Sequence, residues 1–187
     1  MEFKPYLLNW IYNNAKKGAK PPKLQEKEVT ITSNTTTTIG ADVNYDGLKN
    51  VTVTTNINTG DYNAKMTTTG FYNNSNDIKT HIKGLPAFTG TNSIANFYQF
   101  CNGCYSLEDV PYFSIRGAVN VGDMFKSCGS LTDNSLNNIL LMCSQNRKVG
   151  ADLRNLKSMG LSSTQATRCE SLSNWDAFVN AGWSSGY

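Results

Sequence analysis

Histidine is almost missing from this chain, which has one imidazole, His81, in 187 residues. Acids are also scarce, with fourteen Asp and Glu in all. So little titratable material argues against acid–base catalysis, and the sequence holds no phosphate-binding glycine loop, no Gly-x-Ser-x-Gly elbow and no His-based triad. No apolar run approaches the ~18 residues needed to span a membrane, so no membrane insertion is expected. The net charge of +3 is spread thinly, which implies no nucleic-acid partner. The stretch Met1-Glu-Phe-Lys-Pro-Tyr6 lacks a basic region followed by a long apolar core. No secretory leader is therefore expected, and the protein is expected to fold in a reducing cytosol.

What the chain has is an internal repeat. Asn96–Asp109 aligns with Asn120–Asp133 without a gap, and Asn96/Asn120, Cys104/Cys128, Ser106/Ser130, Leu107/Leu131 and Asp109/Asp133 are identical. Apolar residues Phe97, Phe100, Cys101 and Cys104, matched by Val121, Met124, Phe125 and Cys128, recur at i, i+3, i+4, i+7. That spacing predicts a short amphipathic helix at the start of each unit. Val110–Ile115, rich in β-branched and aromatic residues, reads as a short strand. A period in the twenties with a helix and a strand per unit predicts a leucine-rich-repeat-like solenoid, in which each unit buries its apolar face on the next. Two units cannot stand alone, so the flanks should act as caps.

The flanks fit that need. Leu85-Pro86 echoes Val110-Pro111 at an offset of 25 (111 minus 86), a degenerate earlier strand. Leu136, Ile139, Leu140 and Cys143 predict a helix with Thr132 or Asp133 as N-cap. Ser162–Gln165 and Ser173–Asp176 resemble capping boxes, the second with Asp in place of Glu or Gln. A third Cys-x-Ser-Leu, at Cys169–Leu172, lies 41 residues after Cys128 (169 minus 128) and breaks the register.

Towards the N-terminus, Leu7, Leu8, Trp10, Ile11 and Tyr12 form a broad apolar face on a short helix, followed by a Pro21-Pro22 spacer. This segment is expected to anchor the chain into a partner, a second copy included, or else to fold back. Alternating Glu28–Thr32 and Val51–Thr54, with turns at Ser33-Asn34 and Asp46-Gly47, predict a small antiparallel β module with a thin core. The expected class is α+β: an anchor helix and linker (1–26), a β module (27–58), and a repeat domain with a helical C-terminal cap (59–187).

Two stretches also resemble known families. Lys27–Asn34, Tyr45–Leu48 and Val51–Thr55 resemble a short β module of structural proteins from phages and prophages of Gram-positive gut bacteria. Met124-Phe-Lys-Ser-Cys-Gly-Ser-Leu131 resembles the signature of BspA-like surface leucine-rich repeats, found in bacterial adhesins and phage proteins, and Ala181–Tyr187 resembles the ending of the same phage proteins. The resemblance implies a non-enzymatic virion structural protein, such as a tail or baseplate fibre or a capsid decoration, assembled in the host cytoplasm. Its N-terminus would attach to other virion proteins, and its repeat domain would face host-surface glycan or protein, or further copies of itself. The runner-up readings are a cell-surface adhesin and a glycan depolymerase.

Weighed as chemistry, Cys101-Asn-Gly-Cys104 has metal-half-site spacing, but no second Cys-x-x-Cys exists. All five cysteines are expected as free buried thiols, and no metal or cofactor is expected. Glu108 and Asp109 could pose as a glycosidase pair, yet Asp109 recurs as Asp133, which favours a turn or capping role. Tyr98, Tyr105, Tyr112, Phe113 and Trp183 form the candidate ligand face, because aromatic rings stack on sugars; the competing role is core filling.

Overall fold

The computed structural model describes residues 82–187 throughout, and before them the backbone of four strands. These are β1 (Lys27–Ser33), β2 (Thr38–Ile39), β3 (Leu48–Thr55) and β4 (Lys65–Met66), and β5 (Ala87–Thr89) follows. Leu7, Leu8, Trp10, Ile11 and Tyr12 of the expected anchor lie outside the described residues. The β module is not antiparallel: β1 pairs with β3 in parallel, β3 with β5 in parallel, and β2 with β4 in parallel. Alternation along a strand sets which residues share a face but not the direction of its neighbour. The connection from Ser33 to Leu48 has the dozen or so residues that a parallel crossover needs. Since β5 extends the sheet of β1 and β3, the sheet crosses the boundary expected at residue 58/59.

The repeated segments stack as two coils. Phe97, Gln99, Cys101 and Gly103 donate their N–H groups to the carbonyls of Asn120, Gly122, Met124 and Lys126, at 2.7–2.9 Å. Between these cross-coil donors, Phe100, Asn102 and Cys104 bond back three residues, to Phe97, Gln99 and Cys101. The expected amphipathic helices are therefore absent, replaced by runs of tight turns. An α-helix would spend every N–H on its own i−4 carbonyl; here alternate N–H groups serve the neighbouring coil. The apolar spacing holds for either conformation, and Phe97, Phe100, Cys101, Cys104, Val121, Met124, Phe125 and Cys128 are all buried. Left-handed backbone marks the same places in both coils: Gln99 (φ 58°) and Asp123 (φ 52°), Gly103 (φ 83°) and Ser127 (φ 64°). At the non-glycine positions this costs about 1 kcal/mol or more each, which the cross-coil bonds offset.

Val110–Ile115 is not a strand either. Side chains satisfy its backbone instead: Val110 N–H donates to Ser135 Oγ, Asn138 Nδ2 to the Val110 carbonyl, Thr91 Oγ1 to that of Ser114 and Asn146 Nδ2 to that of Ile115. Upstream, Gly84 bridges Asp109 in parallel and Leu85 N–H donates to the Asp109 carbonyl at 2.9 Å, so the earlier echo does lie against the repeat.

A third coil follows after an insertion. Asp123 N–H reaches the Ser158 carbonyl and Phe125 N–H that of Met159, at 2.8 and 2.9 Å. Leu156 and Lys157 in turn donate to Ser184 and Ser185. The lengthened offset makes room for helix α1 (Asp133–Ser144) and the 3-10 turn Ala151–Leu153. The third coil is thus Asn155–Leu161, not the Cys169–Leu172 segment. Its signal was present in the sequence: Asn155-Leu-Lys-Ser-Met159 keeps the Asn, the apolar neighbour and the Met of Asn120-Val-Gly-Asp-Met124. Asn96, Asn120 and Asn155 each use the side-chain oxygen to accept a backbone N–H two or three residues on.

Three helices complete the described chain. Thr132 caps α1 by accepting from Ser135 N–H. Ser162 and Gln165 form a full capping box on α2 (Ser163–Cys169), and Gln165 Nε2 also donates to the Cys128 carbonyl at 2.7 Å, fastening the helix to the second coil. The second expected box fails: α3 (Trp175–Asn180) starts from Asn174, which makes no side-chain cap bond. Asn174 instead bonds Asn137 on α1.

Candidate ligand face

The five aromatic candidates separate into two groups. Tyr98, Tyr105 and Tyr112 are exposed, whereas Phe113 and Trp183 are 1% and 2% exposed and cannot offer a face to a sugar. Phe113 lies in a cluster with Phe88, Phe97 and Phe100, ring centroids 5.4–6.0 Å apart. Trp183 packs on Phe178, which stacks on Trp175. Both are corrections to the expected face, with one cause. A chain of short turns has little aliphatic core, so its largest rings are drawn inward. The indole N–H of Trp183 is buried without a hydrogen-bond partner.

The exposed tyrosines are set differently from one another. Tyr98 lies over Gly122 of the next coil, where a Cβ would stand 3.3 Å from the ring. Tyr105 is the most open of the three; its carbonyl accepts from Ser130 Oγ, and nothing lies within 4 Å of the Cβ position at its repeat partner Gly129. Tyr112 gives its hydroxyl to Gln145 Oε1 at 2.7 Å, so this tyrosine is held beside the end of α1.

Polar candidates take structural roles. Glu108 pairs with Lys83 at 3.5 Å and its carbonyl accepts from Thr132 and Ser135. Asp133, in the first turn of α1, receives Arg168 from α2. Cys101, Cys104, Cys128, Cys143 and Cys169 are all buried and free. Cys128 Sγ donates to the Cys101 carbonyl at 3.1 Å, and Cys143 Sγ lies 3.4 Å from Met159 Sδ. Burial pushes the Cys143 thiol well above its ordinary range, helped by Cys169. Among the described residues no group of three or more His, Cys, Asp and Glu could hold a metal ion, and no helix is long and apolar enough to cross a membrane.

Sequence reasoning missed a depression of about 310 Å³ between the second and third coils, lined by Asp123, Lys126, Ser127, Lys157, Gly160 and Tyr187 among others. Lys126 pairs with Asp123 at 3.2 Å, and Lys157 lies 5.3 Å from the centre of the Tyr187 ring. No local motif announces it, because its two walls are 34 residues apart in the chain (157 minus 123). Comparison with protein-family models, curated proteins and solved structures finds no match for this chain.

Proposed function

We propose that the chain is a non-enzymatic structural protein of a bacteriophage virion, a fibre or decoration built on a short leucine-rich-repeat-like solenoid. Its N-terminal segment would hold it to the particle, and the coils would face a host surface or neighbouring subunits. The observation that carries the binding role is the division of labour in the coils. Inward positions are apolar and buried in every coil, while outward positions change freely from one to the next, as at Tyr98 and Gly122, or Tyr105 and Gly129. Such a frame presents variable side chains on fixed backbone, which suits recognition of a partner. The carboxylates that a glycosidase would need are engaged instead in holding coils and helices together, as with Glu108 and Asp133. The phage context rests on the resemblance at Lys27–Thr55, Met124–Leu131 and Ala181–Tyr187.

Mass spectrometry of purified particles, with a density map to locate the copies, tests the reading. Stoichiometric presence in particles is the expected result. Finding the protein in the wall of uninfected bacteria, and not in particles, would replace it with the adhesin reading. Turnover of host glycan by purified protein, abolished by Asp109→Asn, would replace it with an enzyme.

A further inference from the structure

The ladder of backbone bonds stops one step early between the second and third coils. In the first pair of coils its last member is Gly103 N–H, bonded to the Lys126 carbonyl at 2.9 Å. Ser127 occupies the matching place one coil later and has the same left-handed backbone, φ 64° against 83°. The register assigns Ser127 N–H the carbonyl of Leu161, since Lys126 follows Met124 as Leu161 follows Met159. That carbonyl is already taken by the hydroxyl of Tyr187, at 2.5 Å. Ser127 N–H makes no hydrogen bond to the protein. It is exposed, on the wall of the depression.

The charges around this gap have one sign in excess. Three ionised side chains line it: Lys126, Lys157 and Asp123. Asp123 is engaged with Lys126. Lys157 makes no ion pair among the described residues and rests against the Tyr187 ring. The floor is bare backbone at Gly160, where a Cβ would come within 2.7 Å of Lys126 backbone atoms. A free N–H beside an uncompensated ammonium suits a ligand that accepts hydrogen bonds and carries negative charge. A neutral sugar hydroxyl would leave Lys157 uncompensated, and a metal ion would be repelled by the ammonium groups.

We propose that this gap binds a single oxyanion, a phosphate or carboxylate group, with Ser127 N–H as donor and Lys157 as counter-charge. Tyr187 keeps the site open by withholding the Leu161 carbonyl from Ser127. The inference goes beyond the virion reading and does not depend on it.

The test is a titration of the full chain followed by amide NMR. Sodium phosphate and sodium acetate are the two probes, each compared with sodium chloride at equal ionic strength. A saturable shift centred on Ser127 and Gly129 is expected with at least one probe and not with chloride, and the probe that saturates identifies the class of oxyanion. Lys157→Ala should weaken that binding about fivefold, the upper end for an exposed charge. Tyr187→Phe frees the Leu161 carbonyl to close the ladder, and should abolish the shift while the thermal melt stays near that of the parent. No saturable shift with either probe, the same shift with chloride, or undiminished binding by Tyr187→Phe would each overturn the proposal.

Discussion

Asn146 donates to the carbonyl of Ile115 at 2.6 Å, joining the segment after α1 to the end of the first repeat. The same amide nitrogen donates to Ala118, and its oxygen accepts from Lys148 and Val149 N–H, so the side chain is fully satisfied though wholly buried. Val110–Ile115 lacks a strand partner, and this side chain serves there in place of a ladder. Asn146→Leu would leave two carbonyls and two N–H groups unpaired. A loss on the order of 3 kcal/mol or more is expected in urea unfolding. A change below about 1 kcal/mol would show that water or a local shift replaces these bonds.

Gly160 and Gly129 should respond oppositely to the same substitution. Gly160 has φ 86° and its Cβ would collide with Lys126 backbone, whereas the Cβ position of Gly129 is open. Gly160→Ala should destabilise by roughly 2 kcal/mol or more, and Gly129→Ala by less than about 0.5 kcal/mol. Parallel thermal melts of the two variants check the stacking of the third coil on the second. Equal effects would contradict it.

Phe113 and Tyr105 were expected to share a face and are predicted to behave as core and surface. Phe113→Ala should cost about 3 to 5 kcal/mol, and Tyr105→Ala less than about 0.5 kcal/mol. Chemical denaturation separates them clearly. A large cost at Tyr105 would mean that its exposed ring supports the fold.

The thiols give stability a dependence on alkaline pH. Burial raises Cys169 from 9.0 to about 12, and pushes Cys143 up as well. Between those values the unfolded chain has lost thiol protons that the folded chain retains, so unfolding is favoured as pH rises. The stabilisation is fully present below pH 9.0 and is lost on passing towards 12. Denaturation midpoints measured across this range should fall, and fall less steeply in Cys169→Ala. An identical slope in the variant would remove the thiol from the explanation. Replacing Cys128, whose thiol bonds the Cys101 carbonyl, should cost about 1 to 3 kcal/mol from lost packing alone.

Removal of Met1–Lys20 tests attachment. A helix of about three turns is marginal in isolation, and each large apolar side chain it buries on a partner contributes roughly 1.5 to 3 kcal/mol. The truncated protein is expected to keep its circular dichroism melt and to be lost from particles. Normal occupancy would place attachment elsewhere. A lost melt would assign Leu7, Leu8, Trp10, Ile11 and Tyr12 to the protein's own core.

Local rules settled what local chemistry controls. Thr132 as the cap of α1, the Ser162–Gln165 box of α2 and the buried stripe from Phe97 to Cys128 were all legible, because each depends on residues within a few positions of one another. The spacing i, i+3, i+4, i+7 could not distinguish a helix from turns, since it records only which residues face inward. The choice was made by the destination of the backbone N–H groups, and that destination, from Phe97 to Asn120 onward, is a neighbouring coil. Likewise Val110–Ile115 has the composition of a strand, but Ser135, Asn138 and Asn146 supply its hydrogen bonds from α1 and the loop after it. Sequence selected the aromatic residues suited to stacking. Only packing decided that Phe113 and Trp183 fill the interior and that Lys126 and Lys157 meet across two coils, because burial and juxtaposition belong to contacts between segments far apart in the chain.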